Sequence, residues 1–572
     1  MAATDRDGRP RAWLVAALAL IACGSAGAAA LPLPGTPWTG SPVVATRFGV
    51  VQAQEDADQT WVWKAIPFAR PPVGDLRWRA PRDPVPWDGV RRVTLFAEKG
   101  TQFSPVLPGM IGGTEDCLYL NVWRPRDAEA GLPVYVWIHG GGNSSGSPAM
   151  VPEFYGNRIS SRSRVVFVSL AYRLGPFGWF TLPALRDGVS PEDASGNFGT
   201  LDLIQGLKWI RENIEGFGGD PRRVILTGES AGGFNVLSLL ISPPARGLFQ
   251  AAVSESGAAL TRSMEDADTM GQSVLERLLV KAGRARSAAD AIQVARAMSP
   301  AAIRNFLESR SDREILSQYR VLGLGNIDFP SILRDGAVIP ANGYDSLTTG
   351  DYPNKVPLIL GSNADELKLF LRFTTNLSWQ TEAYQAVSRY GSERWTVSAV
   401  DEPARRMVAH ADQPPIYAYS FRWGTVEPDG TSVLPNSWGR ELGAFHSLDV
   451  PFFLGHDTLA GFFQVFLFSW QNEPGRKELS ADIMRYTAAF AHTGDPNPAD
   501  ASLPRWEPWS TDPGGPRRII FDATLSQPRI SMSDWELTDE QVMRAADTEL
   551  SEPLRSQVLR WLEASPLPSG VH

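Results

Sequence analysis

The sequence predicts an α/β protein built on one large, mostly parallel, doubly wound sheet. Three observations predict it. Strand-like and helix-like runs alternate from about residue 130 to residue 260, as crossover connections between parallel strands require. A strand-like run, Arg223 to Thr227, turns through Gly228-Glu229-Ser230-Ala231-Gly232 into a helix-compatible run, Phe234 to Ile241. The composition, 43% hydrophobic and 20% charged with 19 Trp and 26 Phe, supplies the apolar volume of a large core and argues against disorder.

Taken in order, Arg6, Arg9 and Arg11 precede an apolar run from Trp13 to Ala22, with small residues continuing to Ala30. Residues 1–30 read as an export signal. Two processing routes stay open: cleavage among the small residues 26–30, or lipidation of Cys23 in the lipobox-like Leu20-Ile-Ala-Cys23. The expected location is periplasmic or secreted, with a membrane contact only through a lipid on Cys23. Residues 31–45 form a Pro/Gly/Ala-rich tether, and residues 31–572 read as one domain. Runs at Phe48–Ala53 and Thr60–Ala65 predict an N-terminal meander. Further strands are expected at Leu118–Trp123, Val134–Ile138, Val165–Ala171, Val224–Leu226, Ala251–Ser254, Val356–Leu360 and Ile416–Trp423. Helices are expected at Leu201–Asn213, Ser480–His492 and Glu552–Ala564, with Leu554, Val558, Trp561 and Leu562 on one face as a core stripe. Arg262 to Arg320 has helical periodicity and many charges, and reads as a helical insertion over the site.

Net charge is −9 and no dense Lys/Arg block occurs, so nucleic acid is not an expected partner. With Cys23 in the signal, Cys117 has no intramolecular partner; a disulfide framework and a cysteine-based zinc site are both excluded. No Gly-x-x-x-x-Gly-Lys-Ser/Thr cradle for phosphate is present.

The chemistry concentrates at the turn around Ser230. A strand that turns sharply into a helix exposes one hydroxyl only if its neighbours have almost no side chain, which makes Ser230 the candidate nucleophile. Upstream, Pro133 to Ile138 runs into His139-Gly140-Gly141-Gly142-Asn143. Consecutive glycines let backbone N–H groups point at one spot, where with the amide of Ala231 they would hold an oxyanion. A serine needs an imidazole to take its proton and a carboxylate to hold the imidazole. Chain order leaves His410, His446, His456 and His492, with His446 favoured for its loop beyond the strand 416–423. For the acid, Asp365 and Glu366 both sit just past the strand Val356–Leu360, and the residues themselves do not separate them.

Beyond these groups the sequence resembles the type-B carboxylesterases, an α/β-hydrolase family that includes cholinesterases. The resemblance rests on Ile66 to Arg77, Glu115-Asp-Cys-Leu-Tyr-Leu-Asn-Val-Trp123, Ala171 to Gly175, Phe217-Gly-Gly-Asp-Pro221, Gly361 to Glu366, Gly443-Ala-Phe-His446 and Thr493-Gly-Asp-Pro-Asn497. It implies an α/β-hydrolase fold, with Ser230 as nucleophile, Glu366 as acid and His446 as base. It further implies an oxyanion hole from Gly141, Gly142 and Ala231, with Ser256 supporting the acid and Asp365 structural. The sequence departs from the family at three places. Gly100-Thr101-Gln102 replaces the family's Cys-Pro-Gln, which removes the loop disulfide to Cys117. No tryptophan lies between Gly100 and Cys117, so choline esters are not the expected substrate. Asn143 stands where an aromatic residue is usual.

The expected activity is hydrolysis of small-molecule carboxylic esters through an acyl-enzyme, with no metal or cofactor. The rivals are a catalytically silent adhesion protein on the same fold and an amidase or carbamate hydrolase with the same triad. The first has no chemical reason to keep Ser230, Glu366, His446 and the glycine loop together.

Overall fold

The computed structural model describes residues 31–459 and 461–564. Its central sheet has eleven strands: β1 Gln54–Asp56, β2 Thr60–Pro67, β3 Tyr119–Pro125, β4 Leu132–Ile138, β5 Val166–Leu170, β6 Gly219–Glu229, β7 Ala251–Glu255, β8 Leu358–Asn363, β9 Ile416–Phe421, β10 Arg518–Ala523 and β11 Pro528–Ser533. Across the sheet the order is β11-β10-β9-β8-β7-β6-β4-β5-β3-β2-β1. From β5 to β10 all pairings are parallel, while β11 and the β3-β2-β1 edge pair antiparallel. The sequence reading left β1, β10 and β11 unassigned.

Both faces of the parallel strands are buried. On β4, Val134, Val136 and Ile138 join one core cluster while Tyr135 and Trp137 join the other. A period of two with apolar residues on both faces is what helices packed on each side demand. Helices Phe198–Asn213 and Ala231–Ile241 contribute Leu203, Leu207, Val236 and Leu240 to the first cluster. Helix Glu473–Thr493 contributes Leu479 and Ile483 to the second.

The helical insertion forms at Met264–Lys281, Ala288–Ala297, Pro300–Glu308 and Asp312–Leu316. It packs with Phe177, Phe180 and Phe198 into a third cluster. Contact with the glycine loop comes from the hairpin that follows, Val321–Gly323 and Asn326–Ile327, where Ile327 N–H donates to Ser144 Oγ at 3.4 Å. The cover expected of the helices is thus supplied in part by this hairpin. Val558 and Leu562 of helix Leu554–Ala564 are buried, as their stripe predicts. The export-signal reading of residues 1–30 lies outside the described residues.

Register places the site. Ile138 on β4 is level with Gly228 on β6, Glu229 with Glu255 on β7, Glu255 with Gly361 on β8, and Asn363 with Phe421 on β9. Chains leaving these parallel strands therefore emerge side by side at one edge, where open α/β sheets collect ligands.

Candidate active site

β6 ends at Glu229, and helix Ala231–Ile241 starts one residue after Ser230. Ser230 sits at φ 57°, ψ −124°, a conformation that a side-chain-bearing residue holds only when its surroundings impose it. Its N–H donates to Glu255 O at 2.9 Å, tying the turn to the end of β7. The flanking glycines are required by space. A Cβ on Gly228 would lie 2.5 Å from the Gly232 carbonyl carbon, and one on Gly232 would lie 2.1 Å from Ile138 O.

The glycine loop leaves β4 directly beside this turn. A Cβ on Gly140 would meet Ser230 Cβ at 2.9 Å. Gly141 and Gly142 have φ of 103° and 62°, and among the described residues their N–H groups have no acceptor. The Ala231 N–H is the first of its helix, where an amide has no intrahelical acceptor. Asn143, the departure from the family pattern, is buried and turned inward: its Oδ1 accepts from Asn235 Nδ2 at 2.8 Å.

At the end of β8 the structure separates the two acid candidates. Asp365 pairs with Lys368 at 2.9 Å and accepts from Ala444 N–H at 3.0 Å. Glu366 is fully buried at the first position of helix Glu366–Thr374, where the helix dipole favours a carboxylate. Its Oε1 accepts from Ser256 Oγ at 2.6 Å and Asn363 N–H at 2.8 Å, and its Oε2 lies 2.5 Å from His446 Nδ1. The other three downstream histidines bond to backbone carbonyls: His410 to Leu347, His456 to Tyr155 and His492 to Ser163. His139, ahead of the serine, stacks on Tyr172.

The imidazole of His446 lies against Trp395 and Phe370, with ring centroids at 4.9 and 5.1 Å. Its Nε2 faces Glu229 Oε1 at 3.2 Å without the alignment of a hydrogen bond, and it makes no hydrogen bond to Ser230. Serine–histidine bonds of this kind are commonly long before substrate arrives. Sequence reasoning missed Glu229 as a participant, although it is the middle letter of Gly-Glu-Ser. It also missed Asp449, three residues past His446, which accepts from Tyr419 OH at 2.6 Å, and Glu255, whose two carboxylate oxygens have no hydrogen-bond partner among the described residues.

Four buried carboxyl groups thus surround or lie close behind one imidazole. Burial alone would lower the His446 pKa, but the charges of Glu229 and Glu366 outweigh it and push it up to about 9. Burial pushes Glu229 up to about 7, against the pull of His446. Burial likewise lifts Asp449 to about 6, and it holds Glu255 well above the carboxylate range. Among the described residues, no three His, Cys, Asp or Glu side chains converge on a metal position, and no helix is long and apolar enough to cross a membrane.

A serine on a strained strand-to-helix turn, free amides in an adjoining glycine loop and a buried glutamate–histidine pair on the same sheet edge are the architecture of the α/β-hydrolase class. The sequence profile of the carboxylesterase family matches residues 40–409 and 380–528. A para-nitrobenzyl esterase of Bacillus subtilis (strain 168) is 30% identical over 488 residues, covering 81% of this chain and 92% of the relative. A fumonisin B1 esterase of Sphingopyxis macrogoltabida is 35% identical over 353 residues, 60% of each chain. Among solved structures, a para-nitrobenzyl (PNB) esterase superposes with a TM-score of 0.67 at 28% identity, covering 91% of this chain and 99% of its own. The chain belongs to the carboxylesterase family and is a carboxylic ester hydrolase.

Proposed function

We propose that the protein hydrolyses small-molecule carboxylic esters through a Ser230–His446–Glu366 triad and an acyl-enzyme. The observation that carries this reading is the buried 2.5 Å contact between Glu366 and His446 beside the strained Ser230 turn. His446 Nε2 takes the Ser230 proton as Oγ adds to the ester carbonyl, and the N–H groups of Gly141, Gly142 and Ala231 hold the resulting oxyanion. The imidazolium then gives its proton to the departing alcohol. Water, deprotonated by the same imidazole, adds to the acyl-enzyme, and Ser230 leaves with the proton as the carboxylic acid is released. Glu366 orients the imidazole and stabilises the imidazolium.

Purified protein assayed on a chain-length series of p-nitrophenyl esters, with Ser230→Ala alongside, tests this. The variant should lose activity by about 10⁴-fold or more, as removal of a triad member does. A variant as active as the wild type would remove Ser230 from the mechanism. Export through residues 1–30 is part of the same proposal, supported by the Arg-flanked apolar run; mass spectrometry of the mature N-terminus tests it and distinguishes simple cleavage from lipidation of Cys23.

A further inference from the structure

Trp395 stands against the glutamate–histidine pair without taking part in the chemistry. It is the penultimate residue of the helix Glu382–Thr396, two positions before the π-helical turn Val397–Asp401. Such turns concentrate at functional positions. The indole is 6% exposed, lies 4.9 Å from the His446 ring at 57°, and stacks on Phe370 at 5.7 Å and 13°. Phe370 is itself in contact with the imidazole, so the two rings form one wall behind it.

The second contact is polar. The indole N–H donates to the backbone carbonyl of Ser256 at 3.1 Å. Burial does not force this bond, because among the described residues the indole N–H groups of the buried Trp137, Trp179, Trp209 and Trp423 have no partner. Ser256 has φ 50°, a left-handed conformation that a serine adopts only when held there. Two backbone bonds hold it: its N–H to Gly361 O at 2.8 Å, and its carbonyl from Trp395. In that conformation its hydroxyl reaches Glu366 Oε1, while the other carboxylate oxygen meets His446 Nδ1. Beside it, Thr396 Oγ1 lies 2.9 Å from Ser362 Oγ on β8, anchoring the same turn to the strand that carries the acid.

We propose that Trp395 is a positioning residue for the Glu366–His446 pair, acting through the Ser256 backbone on the carboxylate and through its ring on the imidazole. The inference rests on the triad reading above. A ring that merely filled core volume would leave Ser256 and Glu366 energetically independent of its N–H; the hydrogen-bond chain makes them dependent.

The test is a double-mutant cycle with Trp395→Phe, which keeps a ring and removes the N–H, and Ser256→Ala, which removes the hydroxyl. Rates on p-nitrophenyl acetate are taken per active site, counted from the acylation burst so that unfolded protein does not contribute. Trp395→Phe should lower kcat about five- to tenfold, the loss expected of one buried hydrogen bond, with KM within about twofold. The double variant should be no slower than the slower single, because both changes cut one chain. The low-field proton resonance of His446 Nδ1–H should shift in Trp395→Phe. Trp395→Tyr, which also lacks the indole N–H, replaces Phe if that variant folds poorly. A wild-type kcat with an unmoved resonance overturns the proposal, and so does a double variant whose loss is the product of the two singles. Absence of esterase activity in the wild type would instead strike the triad reading, and the resonance shift would still test the geometry.

Discussion

Two carboxylates bid for one imidazole at His446, Glu366 at Nδ1 and Glu229 at Nε2. Glu366 is in the orientation a triad acid needs. Glu229 faces the nitrogen that accepts the serine proton in the proposed mechanism, so its charge stabilises the cation and delays the free base to higher pH. With His446 raised to about 9, kcat/KM should climb with pH well beyond an ordinary imidazole's range. Glu229→Gln removes one of the two charges that raise it. The rising limb should then move about one pH unit or more toward acid, the scale of a single contacting charge. A pH–rate profile of the variant with the limb unmoved would mean that Glu229 does not govern the base. The sequence narrowed the base to four histidines and the acid to two neighbours. Only coordinates show three of the histidines spent on carbonyls and Asp365 spent on Lys368.

Among elements, the strand-to-helix turn and the glycine loop were legible because their requirements are local: no Cβ fits at Gly228 or Gly232. The loop between Gly100 and Cys117 was legible as a departure, and the structure adds a dimension to it. A Cβ built on Gly100 would lie 3.5 Å from the buried Cys117 Sγ, and Gly100 bridges Thr114 in the same loop. The backbone thus brings the two positions within reach of a cross-link without the second cysteine. Gly100→Cys should form a disulfide with Cys117 on oxidation, closing the loop of 18 residues from 100 to 117. Chain entropy for a loop of that size is worth about 3 kcal/mol. Thiol titration in denaturant should lose two groups, and the gain in Tm should vanish on reduction. Two thiols still titrating after oxidation would show the approach to be too strained. The edge strand β11 and its hairpin partner β10 escaped sequence reasoning because partly exposed positions recur along both and weaken the apolar signal relative to the fully buried strands.

Over the whole molecule the buried acid cluster ties stability to pH. Glu229, Asp449 and Glu255 all have folded pKa values raised above those of the unfolded chain, so each binds its proton more tightly when folded. Their contribution is complete below the ordinary carboxylate range and is lost as pH rises through the folded values. His446 has the same sign, since its cation is favoured in the fold up to about 9. Stability should therefore fall from mildly acidic to alkaline pH, by up to about 1.4 kcal/mol per pH unit for each group within its window. Glu255→Gln keeps the shape and removes the ionisation. Its Tm should decline less than that of the wild type as pH rises above the ordinary carboxylate range. Parallel Tm curves for the two proteins would show that Glu255 binds its proton no more tightly in the fold than in the unfolded chain.

The sequence by itself determined the fold class, the turn that presents Ser230, the glycine loop and the short lists for acid and base. Each of these depends on periodicity or on the absence of a side chain at a given position, and both are properties of neighbouring residues. The family resemblance singles out Glu366 over Asp365; only the tertiary structure decided that its carboxylate meets His446 Nδ1, that Glu229 stands at the opposite nitrogen, and that Trp395 reaches Ser256. Those contacts join residues between about 80 and 220 positions apart, brought level by the register of parallel strands. Register is fixed by packing on both faces of the sheet, and no single segment contains it.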